Sequence, residues 1–200
     1  VDYRQILDGT YADADLNGVP DVCEDQELDV PSEFMTIQSA IEAAVSGDVI
    51  RVDAGTYAER LDFLGKAVTV YGSKGAEATI LDGDGLEGSV VRFATAESRD
   101  SILRGFTIIN GNTGSPFPEA PSVLVGGAIF ISGASPLIEE CTIASSRSDF
   151  GGGLYAQTSD AKLDRCQFIS NEAVLDGGAI LSIDSTMDIL TCEFDSSTIF

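Results

Sequence analysis

The sequence carries one unit three times over, and that repeat limits the fold more than any other feature. GGAIFISGASPLIEECTI begins at Gly126, GGGLYAQTSDAKLDRCQF at Gly151 and GGAILSIDSTMDILTCEF at Gly177, at offsets of 25 and 26 residues without gaps. In each copy a cysteine follows the opening glycine by 15 residues, at Cys141, Cys166 and Cys192. Ile143, Phe168 and Phe194 stand two residues after the cysteines, and Ile138, Leu163 and Ile189 three before them. An earlier copy, SILRGFTIING, has Leu103, Phe106 and Ile108 in the matching places. Each unit is two short β runs joined by Gly, Ser and Asp turns, too short to bury its own apolar side. Stacked as successive coils, such units give parallel strands and a continuous interior of like residues. The expected fold class is all-β, a right-handed parallel β-helix.

The residues ahead of the repeats fit that architecture. Ile37, Ile41 and Ala44 or Val45 make an i, i+4, i+7/8 stripe, which predicts an amphipathic helix over 36–46 ended by Gly47. Short β runs follow at Val49–Val52, 68–71, 79–81 and 90–93. A helix there would cover the otherwise open end of an apolar stack. The domain organisation expected is an N-terminal segment over 1–30 and the β-helix over 31–200. Both ends read as cut: VDYRQIL as the tail of something already under way, CEFDSSTIF as a strand pattern interrupted. From about Pro31 onward, TIQSAIEAA…GDVIRVDAGTY…E resembles the opening of pectin-lyase-like right-handed β-helix proteins, pectinesterases among them. FISN (168–171) followed by GGAI (177–180) is similar to the paired repeat motif of polymorphic outer-membrane and adhesin-like β-helix proteins. The resemblance implies the fold and an extracellular, secreted or cell-surface location. It leaves activity open, because the fold hosts lyases, esterases, adhesins and structural shafts alike.

Residues 13–24 read DADLNGVPDVCE. Set on a twelve-position calcium loop, Asp13, Asp15 and Asn17 fall at positions 1, 3 and 5, and Gly18 at the sharp turn. Val19 offers its carbonyl at position 7, Asp21 sits at 9 and Glu24 at 12. A hard cation wants six or more oxygens from one tight turn, and this spacing supplies them. The loop, with the short run 3–7 ahead of it, resembles dockerin-type calcium loops, although Pro20 replaces the usual aliphatic residue and no second loop is visible. The expected cofactor is calcium.

Composition narrows the partners. Thirty-three acidic residues against 11 basic ones give a net charge of −22, and there is no histidine. Nucleic acid and anionic membrane surfaces need Lys/Arg patches that this chain lacks. Imidazole-based catalysis and His-ligated zinc are excluded within it, and no apolar run is long enough to span a membrane. Calcium, a glycan or cell surface, and a second copy of the chain remain as partners.

The resemblance implies that pectinesterase-like catalysis would need two Asp, an Arg and oxyanion-stabilising Gln residues. Arg51, Arg92 and Arg104 lie on strand-like segments, yet neither they nor Asp82 and Asp84 form such a pattern, so no catalytic residue is assigned. The aspartates of LDGDG read as turn formers. The function expected is a non-catalytic structural or adhesive module; the alternative is a carbohydrate-active or carbohydrate-binding relative of the pectin lyases and pectinesterases. Stacked about 4.8 Å apart, Cys141, Cys166 and Cys192 are expected as buried free thiols, with geometry poor for a disulfide. Cys23, in the calcium loop, is either free or paired with another chain. After the glycines, Ile129/Leu154/Ile180 and Phe130/Tyr155/Leu181 form neighbouring rows. Either the second row is an outward apolar–aromatic stripe, or a bend buries both. The insertion 110–125 carries Pro116, Pro118 and Pro121 with Phe117 at its tip, a candidate contact. An uncapped last coil would favour head-to-tail association into a fibre.

Overall fold

A computed structural model describes residues 26–113 and 125–199. Strand β1 (Glu27–Val30) and helix α1 (Ile37–Ala43) come first. The first coil runs through β2 (Val49–Val52), β3 (Gly55–Tyr57) and β4 (Leu61–Asp62), the second through β5 (Thr69–Gly72), β6 (Thr79–Asp82) and β7 (Val91–Phe93). The third comprises β8 (Ile102–Arg104), β9 (Thr107–Ile109) and β10 (Ile129–Ser132). The fourth adds a strand, with β11 (Leu137–Glu139), β12 (Thr142–Ala144), β13 (Arg147–Phe150) and β14 (Leu154–Gln157). The fifth repeats that plan in β15 (Lys162–Asp164), β16 (Gln167–Ile169), β17 (Glu172–Asp176) and β18 (Ile180–Ile183). Last come β19 (Asp188–Leu190), β20 (Glu193–Asp195) and β21 (Thr198–Ile199).

These strands stack into four parallel sheets: A (β1-β2-β5-β8-β11-β15-β19), B (β3-β6-β9-β12-β16-β20), C (β4-β7-β10-β14-β18) and D (β13-β17-β21). The chain is a right-handed parallel β-helix. Strand β1 lies ahead of the boundary expected at Pro31 and already pairs with β2 in sheet A. Among the described residues no helix is long and apolar enough to cross a membrane.

The register brings repeat-equivalent residues together. Leu28, Ile50, Val70, Leu103, Ile138, Leu163 and Ile189 run down the inside of sheet A. Tyr57, Leu81, Ile108, Ile143, Phe168 and Phe194 line sheet B. Each fully covered Leu, Ile or Phe contributes about 1.5–3 kcal/mol by leaving water, so the rows are what hold the coils together. Cys141 and Cys166 are buried free thiols, Cys192 a partly buried one. Burial pushes the Cys141 thiol up to about 12 and the Cys166 thiol further up, because neither site can solvate a thiolate.

Between sheets the chain turns sharply. Glu140, Arg165 and Thr191 adopt positive φ at the A–B corner, and Ser145, Ser170 and Ser196 at the next. Glu140, Arg165, Ser145 and Ser170 still donate to the following coil, as Arg165 N–H does to the Leu190 carbonyl at 2.9 Å. The repeated glycine pair meets a tighter demand. Gly151 has φ +65°, and a Cβ on Gly152 would stand 2.2 Å from the Glu172 carbonyl oxygen in the coil below. No side chain fits between backbones that close.

Helix α1 closes the first coil, with Ile37, Ala40 and Ile41 buried. It is shorter than the stripe suggests, ending at Ala43 because its terminus is taken over by other groups. Lys66 Nζ donates to the carbonyls of Ile41, Glu42 and Ala44 at 2.7–2.8 Å, and Asp48 accepts from Val45 N–H at 2.7 Å. At the other end Glu59 accepts from Ile37 and Gln38 N–H, and Thr36 from Ser39 N–H. A carboxylate at the N-terminus and an ammonium at the C-terminus complement the helix dipole.

Candidate functional site

The calcium ligands expected at Asp13, Asp15, Asn17, Val19, Asp21 and Glu24 lie outside the described residues, as do Cys23 and Phe117. The remaining candidates can be placed on the coils.

Phe130, Tyr155 and Leu181 pair in register on sheet C, beside the inward row of Ile129, Leu154 and Ile180. Ile129 and Leu154 belong to the core, and Tyr155 stands outside it. Strand alternation therefore holds and no bend buries both rows. Phe130 and Leu181 of the second row are half-buried, and the expectation of an open stripe fails at Tyr155. Tyr155 is only 7% exposed. Parallel in-register stacking makes neighbours cover one another's faces: the Phe130 and Tyr155 rings lie 5.9 Å apart and 4° from parallel. The Tyr155 hydroxyl turns along its own strand to Gln157 Oε1 at 3.4 Å. The same row continues upstream to Arg92 and Asp62, an ion pair at 2.6 Å.

The other strand arginines are also engaged. Arg51 lies between Asp29 and Asp53, at 2.8 and 2.9 Å, and the Asp29 hydrogen bond raises its pKa further. Arg104 sits 5.4 Å over the Tyr71 ring and 3.6 Å from Glu139. Arg165 reaches Glu140, Asp164 and Glu139 at 2.9, 2.9 and 3.4 Å, and the hydrogen bond it donates to Glu140 raises its pKa. Asp29, Arg51, Tyr71, Arg104, Glu139 and Asp164 thus form one outward ladder on sheet A. Reading inward positions alone misses it. Its signal was available in the outward residues that flank the same repeat positions, where arginines and acids recur.

Asp82 behaves as the turn former expected. Its Oδ1 accepts from Asp84 N–H at 3.0 Å and from Asn110 Nδ2 at 2.9 Å. That turn forms one wall of a cleft of about 410 Å³, lined by Asp84, Glu87, Asn110, Asn112, Ser145 and Arg147. The lining residues come from three consecutive coils, each just past sheet B. In the fourth and fifth coils that corner leads into a strand of sheet D; among the described residues the second coil has no strand there, and the third only the isolated bridges of Asn112 with Arg147 and Val125 with Phe150. The cleft is the notch left where sheet D stops. Arg147 opens β13, the edge strand, and its Nε lies 3.3 Å from Glu172 of β17. The repeat spacing does not announce this notch, because it exists only once the coils are stacked.

No family model matches this sequence, and no curated protein matches it. Solved structures similar to it are pectin methylesterases. The enzyme from Aspergillus niger in penultimately deglycosylated form aligns with TM-score 0.48 at 16% identity, over 91% of this chain and 69% of that one. A pectin methylesterase in complex with hexasaccharide VII gives 0.44 at 14% identity, over 83% and 63%. PemA from Erwinia chrysanthemi gives 0.43 at 14% identity, over 75% and 55%. The chain spans less than two thirds of the length of these last two. The β-helix itself is read from the strand pairing above.

Proposed function

We propose that the chain is a non-catalytic, extracellular structural module in which the β-helix acts as a rigid shaft. The observation that carries this reading is the use of its outward cations. Arg51, Arg92, Arg104 and Arg147 each close on a carboxylate of a neighbouring coil, so the charged groups of the strands tie coil to coil. A net charge of −22 would repel polyuronate substrates. Calcium, held by Asp13, Asp15, Asn17, Asp21, Glu24 and the Val19 carbonyl, would order the N-terminal segment.

Two measurements test this. The purified chain, incubated with methyl-esterified pectin, polygalacturonate and alginate, is expected to release neither methanol nor unsaturated oligosaccharide. Product release abolished by Arg92→Ala would replace the shaft with an enzyme. Titration calorimetry with calcium chloride should show one site, lost in Asp15→Ala; no heat of binding would remove calcium from the reading.

A further inference from the structure

The structure assigns a ligand class to the notch at the end of sheet D: we propose that it binds a single neutral sugar unit. This goes beyond the shaft reading and stands apart from it, since a rigid module with or without a ligand has the same coils.

The residues that line the cleft carry groups of both signs. Two carboxylates, Asp84 and Glu87, lie on one wall and one guanidinium, Arg147, on another. Asn110, Asn112 and Ser145 add amides and a hydroxyl. A bare cation would meet Arg147, and among the described residues no three acidic or thiol groups gather as metal ligands. A carboxylated or phosphorylated ligand would meet Asp84 and Glu87 within a chain already at −22. An apolar ligand would strip water from all six polar side chains with only Leu86 to offer in return. A neutral polyol escapes each of these costs. Its hydroxyls donate to the carboxylates and accept from the guanidinium, so groups of both signs gain a partner at once.

The site is also held in place before any ligand arrives. Gly83 N–H donates to Ile109 C=O at 2.8 Å and Leu86 N–H to Gly83 C=O at 3.0 Å, fixing the acidic wall. Gly111 N–H donates to Ser146 Oγ at 3.1 Å, Arg147 N–H to Gly111 C=O at 2.8 Å and Thr113 N–H to Arg147 C=O at 3.1 Å. The Glu172 carboxylate steadies the guanidinium from its Nε side. Recognition groups carried on such a scaffold lose little freedom on binding. The volume of about 410 Å³ falls in the range of small-ligand sites.

The test is a titration of the isotope-labelled 200-residue chain, followed by amide correlation spectra. The probes are methyl glucoside, methyl galactoside, methyl mannoside and N-acetylglucosamine, with galacturonate and calcium chloride as charged counterparts. Saturable shifts with at least one neutral sugar, concentrated at Gly85, Gly111 and Arg147, are expected. Arg147→Met and Glu87→Gln, both at the surface, should leave the remaining spectrum in place and weaken binding about tenfold each, the worth of one charge-assisted hydrogen bond. The proposal fails if none of the four sugars shifts these amides, or if the variants bind as well as the parent. It fails equally if the shifts lie around Phe130 and Tyr155, or if only galacturonate or only calcium produces them.

Discussion

Phe168 and Phe194 occupy the same position in consecutive coils, their rings 5.2 Å apart and 12° from parallel. One is fully buried and the other 52% exposed. Leu163 and Ile189 repeat the contrast on sheet A, at 0% and 44%. Nothing in the residues themselves separates the members of either pair. The difference is that a coil lies on both sides of Phe168 and, among the described residues, on one side only of Phe194. A coil does not bury its own apolar row; its neighbours do. At the other end of the stack that service comes from β1 and α1, and the first coil's Ile50 and Val52 are buried as completely as any residue of the middle.

The largest effect expected from this contrast is chemical. In the native chain at neutral pH, iodoacetamide should modify Cys192 at least about a thousandfold faster than Cys166, which must wait for unfolding. Peptide mapping over time reads the ratio, and equal rates would mean that the coils open individually. The same thiols set a pH limit. An unfolded thiol ionises near its ordinary value of 9.0, whereas Cys141 holds its proton up to about 12. Between those values the folded state binds more protons than the unfolded one, so stability should fall as pH rises through that window. Replacing Cys141 and Cys166 with alanine should flatten the fall.

Next come the phenylalanines. Phe168→Ala should cost about 3–5 kcal/mol by leaving a cavity between two coils, and Phe194→Ala less than about 1.5 kcal/mol. Denaturant unfolding of the two variants gives both values, and similar losses would show that Phe194 is covered in solution. Gly152→Ala should cost about 1–3 kcal/mol by overpacking, since the new methyl must push against the Glu172 carbonyl. A neutral outcome would mean that the coil spacing can relax at that corner.

How far the sequence anticipates all this follows from the same logic. Inward residues repeat because every coil imposes the same demand on them, so the register of Ile138, Leu163 and Ile189 is legible from spacing alone. Outward residues answer to whatever lies on the adjacent coil, and a one-dimensional reading does not say that Arg104 stands between Tyr71 and Glu139. Tyr155 fails as an exposed aromatic for that reason: its cover is supplied by residues at the same position in the neighbouring coils. Lys66 is 22 residues or more from the carbonyls that it caps, a distance at which no helix signal operates. The notch beside Arg147 depends on a strand that, among the described residues, the second and third coils do not form, which no motif announces.

The smallest effect concerns the corner after sheet C, where successive coils place Gly133, Thr158 and Asp184, all at positive φ. Gly133 donates to the Gln157 carbonyl and Thr158 to the Ile183 carbonyl, each at 3.0 Å, so the hydrogen bond is the same whichever residue is present. The side chain is therefore the only variable. A β-branched residue in the left-handed region carries about 1–2 kcal/mol of strain, and glycine removes it at an entropic cost of about 0.5–1 kcal/mol. The Thr158 side chain is exposed, so little packing is lost. Thr158→Gly should raise the melting temperature by about 1–4 °C for a chain of this size, and Gly133→Thr should lower it by a similar amount. If Thr158→Gly lowers it instead, chain entropy outweighs backbone strain at this corner. The non-glycine residues that recur at the corners would then stabilise the coils by restricting the unfolded chain.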